Sequence, residues 1–353
     1  MNPPNPFLQL KENPYFETSN SPIWIASSFS LKRNLASLPF PPKLDQGNAS
    51  TVLKTLKKGL MQTKELASPQ FFLFDEIEDE EKEFLLEHFL THCDLSERTC
   101  KAGAVIDQSG TFLAVINGND HLTLQSIEAQ SEWKEGWKKL EKIEESLAQS
   151  HPFAYTPTFG FLTSELAYSG TGFIVQAFLH LPCLIQLDQI DDLLIKDLDD
   201  EIEATGLSGT TDYIGDIVII QNRFTLGLSE DHILEGVHKT ATKLAAAEQN
   251  LRNSVKETPH ALLVDKVRRG VGLLKHSFQV DIKEALSAIS VIKLGADLGW
   301  ITGLTDKELN KIFFEVRRGH LSLGSQETLS QEKLAQKRAE YLQSALKTLT
   351  INI

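Results

Sequence analysis

The hydrophobic period of this chain switches from helical to alternating and back, and that switch limits its fold more than any single residue does. Ala104–Asp107 (AVID), Thr111–Ile116 (TFLAVI) and His121–Gln125 (HLTLQ) are short apolar or β-branched runs. Ser109-Gly110 and Asn117-Gly118-Asn119-Asp120 separate them with turn chemistry, which predicts consecutive antiparallel strands. On either side the spacing is helical. Ile77, Phe84, Leu85 and Phe89 line one face beneath an acidic surface in residues 76–90, and Trp133, Trp137, Leu140, Ile143 and Leu147 form a second stripe. Thr158–Leu162 resembles another strand. Gly170-Thr171-Gly172 is expected to open a helix over Phe173–Leu181 that Pro182 closes, and residues 187–203 read as an amphipathic helix with Leu187, Ile190, Leu194, Leu198 and Ile202 inward. Asp216–Gln221 (DIVIIQ) is the last clear strand, with a turn at Asn222-Arg223. From about Glu230 onward only helical periods are present. Residues 1–22, rich in proline and polar residues, read as an irregular arm, and the prolines ending Leu35–Pro42 stop any helix begun near Lys32. The order predicts an α+β region followed by an all-helical one.

With 353 residues the chain is long enough for about two domains at roughly 150 residues each. Its 35 Lys and Arg against 48 Asp and Glu leave a formal charge of −13. A field of that sign argues against nucleic acid or an anionic membrane as partner. Cys93, Cys100 and Cys183 cannot all pair and lack framework spacing, which favours a reducing compartment. No run reaches the ~18 apolar residues of a membrane span, and the N-terminus has neither a basic n-region nor an apolar h-region. The expected location is cytoplasmic.

Taken residue by residue, no motif announces a catalytic centre. Walker A spacing is absent, and Gly170-Thr171-Gly172 is not the G-x-G-x-x-G of a dinucleotide site. His88 and His92 lie one helical turn apart near Cys93 and Cys100, but without the second CxxC or the intervening Glu of a zinc motif, so no metal is expected. The acidic series Asp188, Asp191, Asp192, Asp197, Asp199, Asp200, Glu201 and Glu203 reads as a solvated helix face. No G-x-S-x-G, H-E-x-x-H or Cys/His nucleophile context occurs.

Several segments taken together carry a resemblance. They are RNLASLPFP (33–41), INGNDHLTLQ (116–125), FGFLTS (159–164), GTG with LHLPCL (170–184), GDIVIIQNRFTLGLSE (215–230), and VRRGVGLL with VIKLGADLGWI (267–274 and 291–301). In this collinear order they resemble the ATP:guanido phosphotransferase family, and within it the bacterial protein-arginine kinase (McsB-type) branch. The resemblance implies a small helical N-terminal lobe, an antiparallel sheet flanked by helices that holds nucleotide in active members, and an all-helical C-terminal dimerisation domain. The expected boundaries are an arm over 1–22, a guanido-phosphotransferase-like domain over 23–250 with its small lobe to about residue 95, and the helical domain over 251–353.

Transfer of a γ-phosphoryl group to a guanidinium requires cations around the triphosphate and carboxylates that orient and deprotonate the acceptor. In the family these lie within the same motifs. Aligned on Arg33-Asn34, the two arginines of SxRxRLARN fall at Ser28 and Ser30. In NEEDHLR the catalytic glutamate falls at Asn119, its neighbour at Gly118 and the arginine at Thr123. In TSCPTNxGTGLR the reactive cysteine falls at Glu165, the asparagine near Tyr168 and the arginine at Ile174. In RGxYGExxE the arginine falls at Thr205 and the second glutamate at Thr210. Retained are Asn117, Asp120, His121, Gly170, Thr171, Gly172 and Gly215, which suit turns and strand ends. The phosphoarginine-recognition pattern RDxxRA meets LAQKRA (334–339), which keeps Arg338 and Ala339 and reads as a basic residue on an amphipathic terminal helix.

The resemblance therefore implies a catalytically degenerate protein-arginine kinase homologue that acts by binding, with no cofactor. Two alternatives stand beside it: an active, divergent protein-arginine kinase using Mg-ATP, with Lys32 or Arg33 as surrogate cations, and a phosphoarginine reader built on Arg338. Expected partners, by resemblance, are a second copy through the C-terminal helical domain, a zinc-binding activator protein, or a Clp-type unfoldase.

Overall fold

The computed structural model describes residues 7, 10, 11, 21–90, 101–129, 134–323 and 329–353. They divide into two compact units. One comprises residues 1–15, 27–176 and 222–236, the other 16–26, 177–221 and 237–353.

In chain order the strands are β1 (Trp24–Arg33), β2 (Gln70–Leu73), β3 (Gly103–Ile106), β4 (Phe112–Ile116), β5 (Leu122–Glu128), the two-residue pair β6 (Tyr155–Thr156) and β7 (Gly160–Phe161), β8 (Phe173–His180), β9 (Ile202–Thr205) and β10 (Ile217–Asn222). The main sheet has the order β2-β3-β4-β5-β1-β8-β10-β9. Its β2, β3, β4, β5 and β1 pair antiparallel in that succession, so the three expected strands form where the alternating runs placed them. Among the described residues, the first unit holds the helices α1 (Gln46–Gln62), α2 (Asp79–Glu87) and α3 (Lys134–Ala148). Asp45 caps α1 by accepting from the Asn48 amide at 2.9 Å, and Val52, Leu53, Leu56 and Leu60 bury its apolar stripe. Leu140, Ile143 and Leu147 do the same for α3; Trp133 lies outside the described residues.

After β8 come α4 (Pro182–Gln186), α5 (Ile190–Asp197), α6 (Glu230–Glu257), α7 (Ala261–His276), α8 (Ile282–Asp297), α9 (Asp306–Glu315), α10 (Arg318–Ser322) and α11 (Gln331–Ala345). Helix α8 is buried on almost every side, as its apolar composition requires. It approaches α7 so closely that a Cβ on Gly270 would sit 2.9 Å from the Val291 side chain.

The structure differs from the sequence reading at five places. Phe173–His180 is a strand, not a helix: FIVQAFLH is rich in β-branched and aromatic residues and buried on both faces, and Pro182 starts α4 instead of ending a preceding helix. Residues 187–203 hold only the short α5 and then β9, because a helical period of five apolar residues also fits a break after Leu198. Among the described residues before 95, β1 and β2 join the sheet beside the helices α1 and α2. Within the supposed arm Phe7 is buried, its ring edge-on to Phe72 at 5.2 Å and Phe84 at 6.3 Å. In the helical region, β11 (Ile301–Thr302) and β12 (Thr350–Ile351) form a small antiparallel pair.

The second unit buries a polar cluster with a pH signature. Asp216 accepts from Gln186 Nε2 at 2.6 Å and from the Ser290 hydroxyl, and His180 Nε2 lies 2.8 Å from Ser290 Oγ. Burial pushes the Asp216 carboxyl up to about 6, against the pull of its Ser290 and Gln186 hydrogen bonds. Burial, with Lys293 and Arg252 nearby, drives His180 well below its ordinary value. The two act in opposite senses. A raised acid holds a proton that the unfolded chain has released, so the Asp216 contribution is complete below about pH 4 and disappears as the pH climbs through about 6. The His180 contribution is present above about pH 6.5 and falls away on acidification. On going from pH 6 to pH 4, Asp216→Asn should therefore lose more stability than the wild type, by on the order of 2 kcal/mol. Urea midpoints across that range check this; a variant-to-wild-type gap that does not change with pH would contradict it.

Candidate functional site

Side chains alternate along a strand, so Ser28, Ser30 and Lys32 of β1 share one face of the sheet, and Phe29, Leu31 and Arg33 the other. The β1–β5 register sets Gln125 opposite Ser30 and Thr123 opposite Lys32, on the first of these faces. Phe173 stacks with Phe29 at 6.5 Å and meets Trp137 of α3 at 4.2 Å, which fixes its side of β8 and turns Ile174 to the Ser28 side. The sheet thus brings Ser28, Ser30, Thr123 and Ile174 together on one face. Three of the four are buried, and none carries charge. Gln125 Nε2 donates to the Phe89 carbonyl at 2.7 Å and reaches Ser28 Oγ at 3.3 Å. The Thr123 hydroxyl is buried with no hydrogen-bond partner.

Two cations stand side by side in sequence and are used differently. Arg33 belongs to the opposite face. Its Nε donates to Glu144 of α3 at 2.8 Å, Nη1 donates to the carbonyls of Lys32 and Thr171, and the guanidinium lies 3.6 Å from the Phe161 ring centre. Burial lowers its pKa, and the Glu144 carboxylate opposes that. Arg33 is committed to structure. Lys32, 7% exposed, places its ammonium 4.1 Å from the Tyr168 ring centre on the Ser30 side.

The retained residues knit loops. Asn34 donates to Asp120 at 2.6 Å and accepts from the His121 amide at 2.8 Å; Asp120 also accepts from the Ser164 amide at 2.7 Å. His121 Nδ1 accepts from the Leu35 amide at 3.0 Å, so its Nε2 is the protonated nitrogen that donates to the Pro39 carbonyl at 2.9 Å. Burial lowers the His121 pKa, which suits this neutral state. Asn117, at φ 57°, donates to the carbonyls of Ala49 and Lys101. Thr171 donates its amide to the Thr225 carbonyl at 3.2 Å. Gly170 has φ 107°, and a Cβ there would stand 2.4 Å from that same carbonyl; Gly172, at φ 60°, would meet the Lys32 carbonyl at 2.7 Å. The GTG turn is glycine-rich because three backbones converge on it.

Asn119 and Glu165 meet. Asn119 Nδ2 donates to Glu165 Oε1 at 3.2 Å, and both are exposed. The position that resemblance gives to the catalytic glutamate therefore holds an amide, and a carboxylate stands beside it from a loop 46 residues on. Thr205 ends β9, and Thr210 closes a tight turn with its carbonyl accepting from the Gly206 amide at 2.6 Å; both lie in the second unit. Arg338 is not a surface residue on α11. It is buried, its Nε donating to the Val316 carbonyl at 2.7 Å and Nη1 to the Val280 carbonyl at 2.8 Å. Interior carbonyls left by the ends of neighbouring elements need donors, and Arg338 supplies them. Sequence reasoning missed Asn34, Glu144 and Thr225, whose roles rest on partners far along the chain.

The family described as ATP:guanido phosphotransferase, C-terminal catalytic domain, matches residues 51–251. This chain belongs to the ATP:guanido phosphotransferase family. Residues 260–352 match the protein-arginine kinase McsB C-terminal domain. A protein-arginine kinase of Chlamydia pneumoniae is 34% identical over 335 residues, spanning 93% of this chain and 92% of that protein. Another, of Caldanaerobacter subterraneus subsp. tengcongensis, is 27% identical over 92% of this chain and 97% of its own length. Among solved structures, lombricine kinase matches with a TM-score of 0.57 at 18% identity, over 67% of this chain and 69% of that one, a likeness of fold. The chain is thus a member of the protein-arginine kinase branch, with an α+β fold and a helical C-terminal region. Among the described residues no helix is long and apolar enough to cross a membrane, and no group of three or more His, Cys, Asp or Glu is placed to hold a metal; His92, Cys93 and Cys100 lie outside them.

Proposed function

We propose that this protein keeps the protein-arginine kinase scaffold without phosphoryl transfer and works by binding a partner. One observation carries the reading: Ser28, Ser30, Thr123 and Ile174, which the resemblance aligns with family arginines, share one sheet face. A γ-phosphoryl group in transit spreads its charge over oxygens that need fixed cations, and the described side chains at these four positions carry none. The proposed partners are a second copy through the C-terminal helical region, a zinc-binding activator protein or a Clp-type unfoldase.

A second reading, an active and divergent protein-arginine kinase, is favoured by the name its relatives carry and by the Glu165 carboxylate beside Asn119. A phosphoarginine reader at Arg338 has less support, since two of that guanidinium's nitrogens already serve main-chain carbonyls.

Thermal unfolding separates the first two readings. A ligand in large excess over its Kd raises the midpoint by mass action. Millimolar Mg-ATP is expected to raise it no further than the same concentration of inorganic phosphate. A nucleotide-specific rise that saturates at micromolar Mg-ATP would favour the active reading.

A further inference from the structure

The surroundings of Ser290 in the second unit fix where each proton of its buried cluster lies. The Lys266 ammonium donates to Gln186 Oε1, so the Gln186 amide turns its Nε2 to Asp216 Oδ1, at 2.6 Å. Ser290 donates to the other carboxylate oxygen, Oδ2. A hydroxyl has a single hydrogen, so toward His180 Ser290 can only accept. The 2.8 Å contact therefore makes Nε2 the protonated nitrogen of a neutral ring. Nδ1 is then a lone pair, yet it lies 3.3 Å from the Pro22 carbonyl, which is also an acceptor. Arg252 Nη2, 3.4 Å from Nδ1, already donates to the His180 carbonyl at 3.0 Å. With Asp216 ionised, the cluster sets acceptor against acceptor at its His180 end. Asp216 itself is held at φ 53°, a left-handed backbone that its buried surroundings must maintain.

Protonation of Asp216 has one consistent arrangement. Oδ1 faces the Gln186 donor, so the proton goes to Oδ2 and points at Ser290 Oγ. The Ser290 hydroxyl then turns to His180 Nε2, which must be the bare nitrogen, and the ring hydrogen stands on Nδ1, facing the Pro22 carbonyl. The protons balance: solvent supplies one to Nδ1, the Nε2 proton passes to Ser290, and the Ser290 proton passes to Asp216. Burial, Lys293 and Arg252 all oppose a charged ring, so the added proton does not rest as an imidazolium. Burial and the Glu248 carboxylate favour a neutral Asp216, against the pull of Ser290, Gln186 and Lys266. The other charges nearby are occupied: Glu248 and Asp297 accept from Arg252, and Lys293 donates to Asn310.

We infer that His180, Ser290 and Asp216 form a reversible hydrogen-bond relay, in which uptake of one proton reverses the direction of donation and adds a bond from the His180 ring to the Pro22 carbonyl. The His180 amide already donates to the Ile23 carbonyl at 2.7 Å, so acidification ties the segment leading into β1 a second time. This pH-sensitive device stands apart from phosphoryl transfer and uses none of the positions aligned with catalytic residues.

Nitrogen NMR of the full chain carrying isotope-labelled histidine tests the relay, because the shifts of the two ring nitrogens tell which one holds the proton. The His180 signals are assigned by their loss in His180→Gln. Wild type is expected to show Nε2–H at about pH 8 and Nδ1–H at about pH 5, with the exchange centred where Asp216 titrates, at about 6. Asp216→Asn should lock the reversed state. The Gln186 donor selects the Asn oxygen, the Asn amide nitrogen donates to Ser290, and His180 then carries Nδ1–H even at about pH 8. Ser290→Ala cuts the relay, so His180 should keep one tautomer at both pH values. A single tautomer throughout the wild-type titration overturns the inference. So does a ring protonated on both nitrogens at about pH 5, since His180 would then hold the proton itself. Nε2–H retained in Asp216→Asn, or a switch that survives in Ser290→Ala, overturns it as well. If either variant fails to fold, the wild-type titration decides on its own.

Discussion

Incubated with Mg-ATP and an arginine-rich protein, this chain is expected to leave no phosphoarginine above background. Its turnover should lie at least ~10⁵-fold below that of an active protein-arginine kinase run beside it. One transition-state arginine is worth about 10³–10⁵ in rate, and the resemblance aligns Ser28, Ser30, Thr123, Ile174 and Thr205 with five of the family's arginines. Such losses do not add, because residues that act as a unit are largely spent once one is gone. The discount still leaves no ordinary rate on the proposed reading, since the same resemblance aligns Asn119 and Thr210 with both catalytic carboxylates. Restoring one group should not rescue it: Asn119→Glu would set a second carboxylate against Glu165 without supplying a cation for the phosphoryl oxygens. Mass spectrometry under conditions that preserve phosphoarginine is the measurement. Arginine phosphorylation that vanishes in Glu165→Gln would sink the non-catalytic reading and identify Glu165 as the carboxylate that took over.

The largest effect on stability is expected at Arg252. This guanidinium is 1% exposed and donates to Glu248 at 2.8 Å, to Asp297 at 3.1 Å and to the His180 carbonyl at 3.0 Å. Glu248 is fully buried, and its two oxygens accept from the Cys183 and Leu184 amides at the start of α4. Arg252→Met leaves that carboxylate inside without its cation. Breaking a buried pair from one side costs about 3–5 kcal/mol, which for a unit of this size lowers the midpoint by roughly 10 °C. Adding Glu248→Gln should return part of the loss, since the pair is coupled and the amide needs no counter-charge. A single variant within about 1 °C of wild type would show that water reaches Glu248 and that the pair is not a buried one.

Sequence and tertiary structure divide the account of this protein along a physical line. Local patterns carried what depends on neighbours in the chain: the three strands of residues 103–128, the α3 stripe of Leu140, Ile143 and Leu147, and the turn chemistry of Asn117. The collinear motifs carried the family. Only the folded chain decided whether the apolar run Phe173–His180 was helix or strand, because an eight-residue run buried on both sides has no period to read. Only the fold sent adjacent cations to opposite faces, Arg33 to Glu144 across 111 positions and Lys32 to the neutral face beside Thr123. Asn119 and Glu165, and Arg338 and its two carbonyls, were likewise joined by the fold. Charge and shape are written residue by residue, but a partner is a matter of distance in space, and only the packing of strands, loops and helices sets that distance.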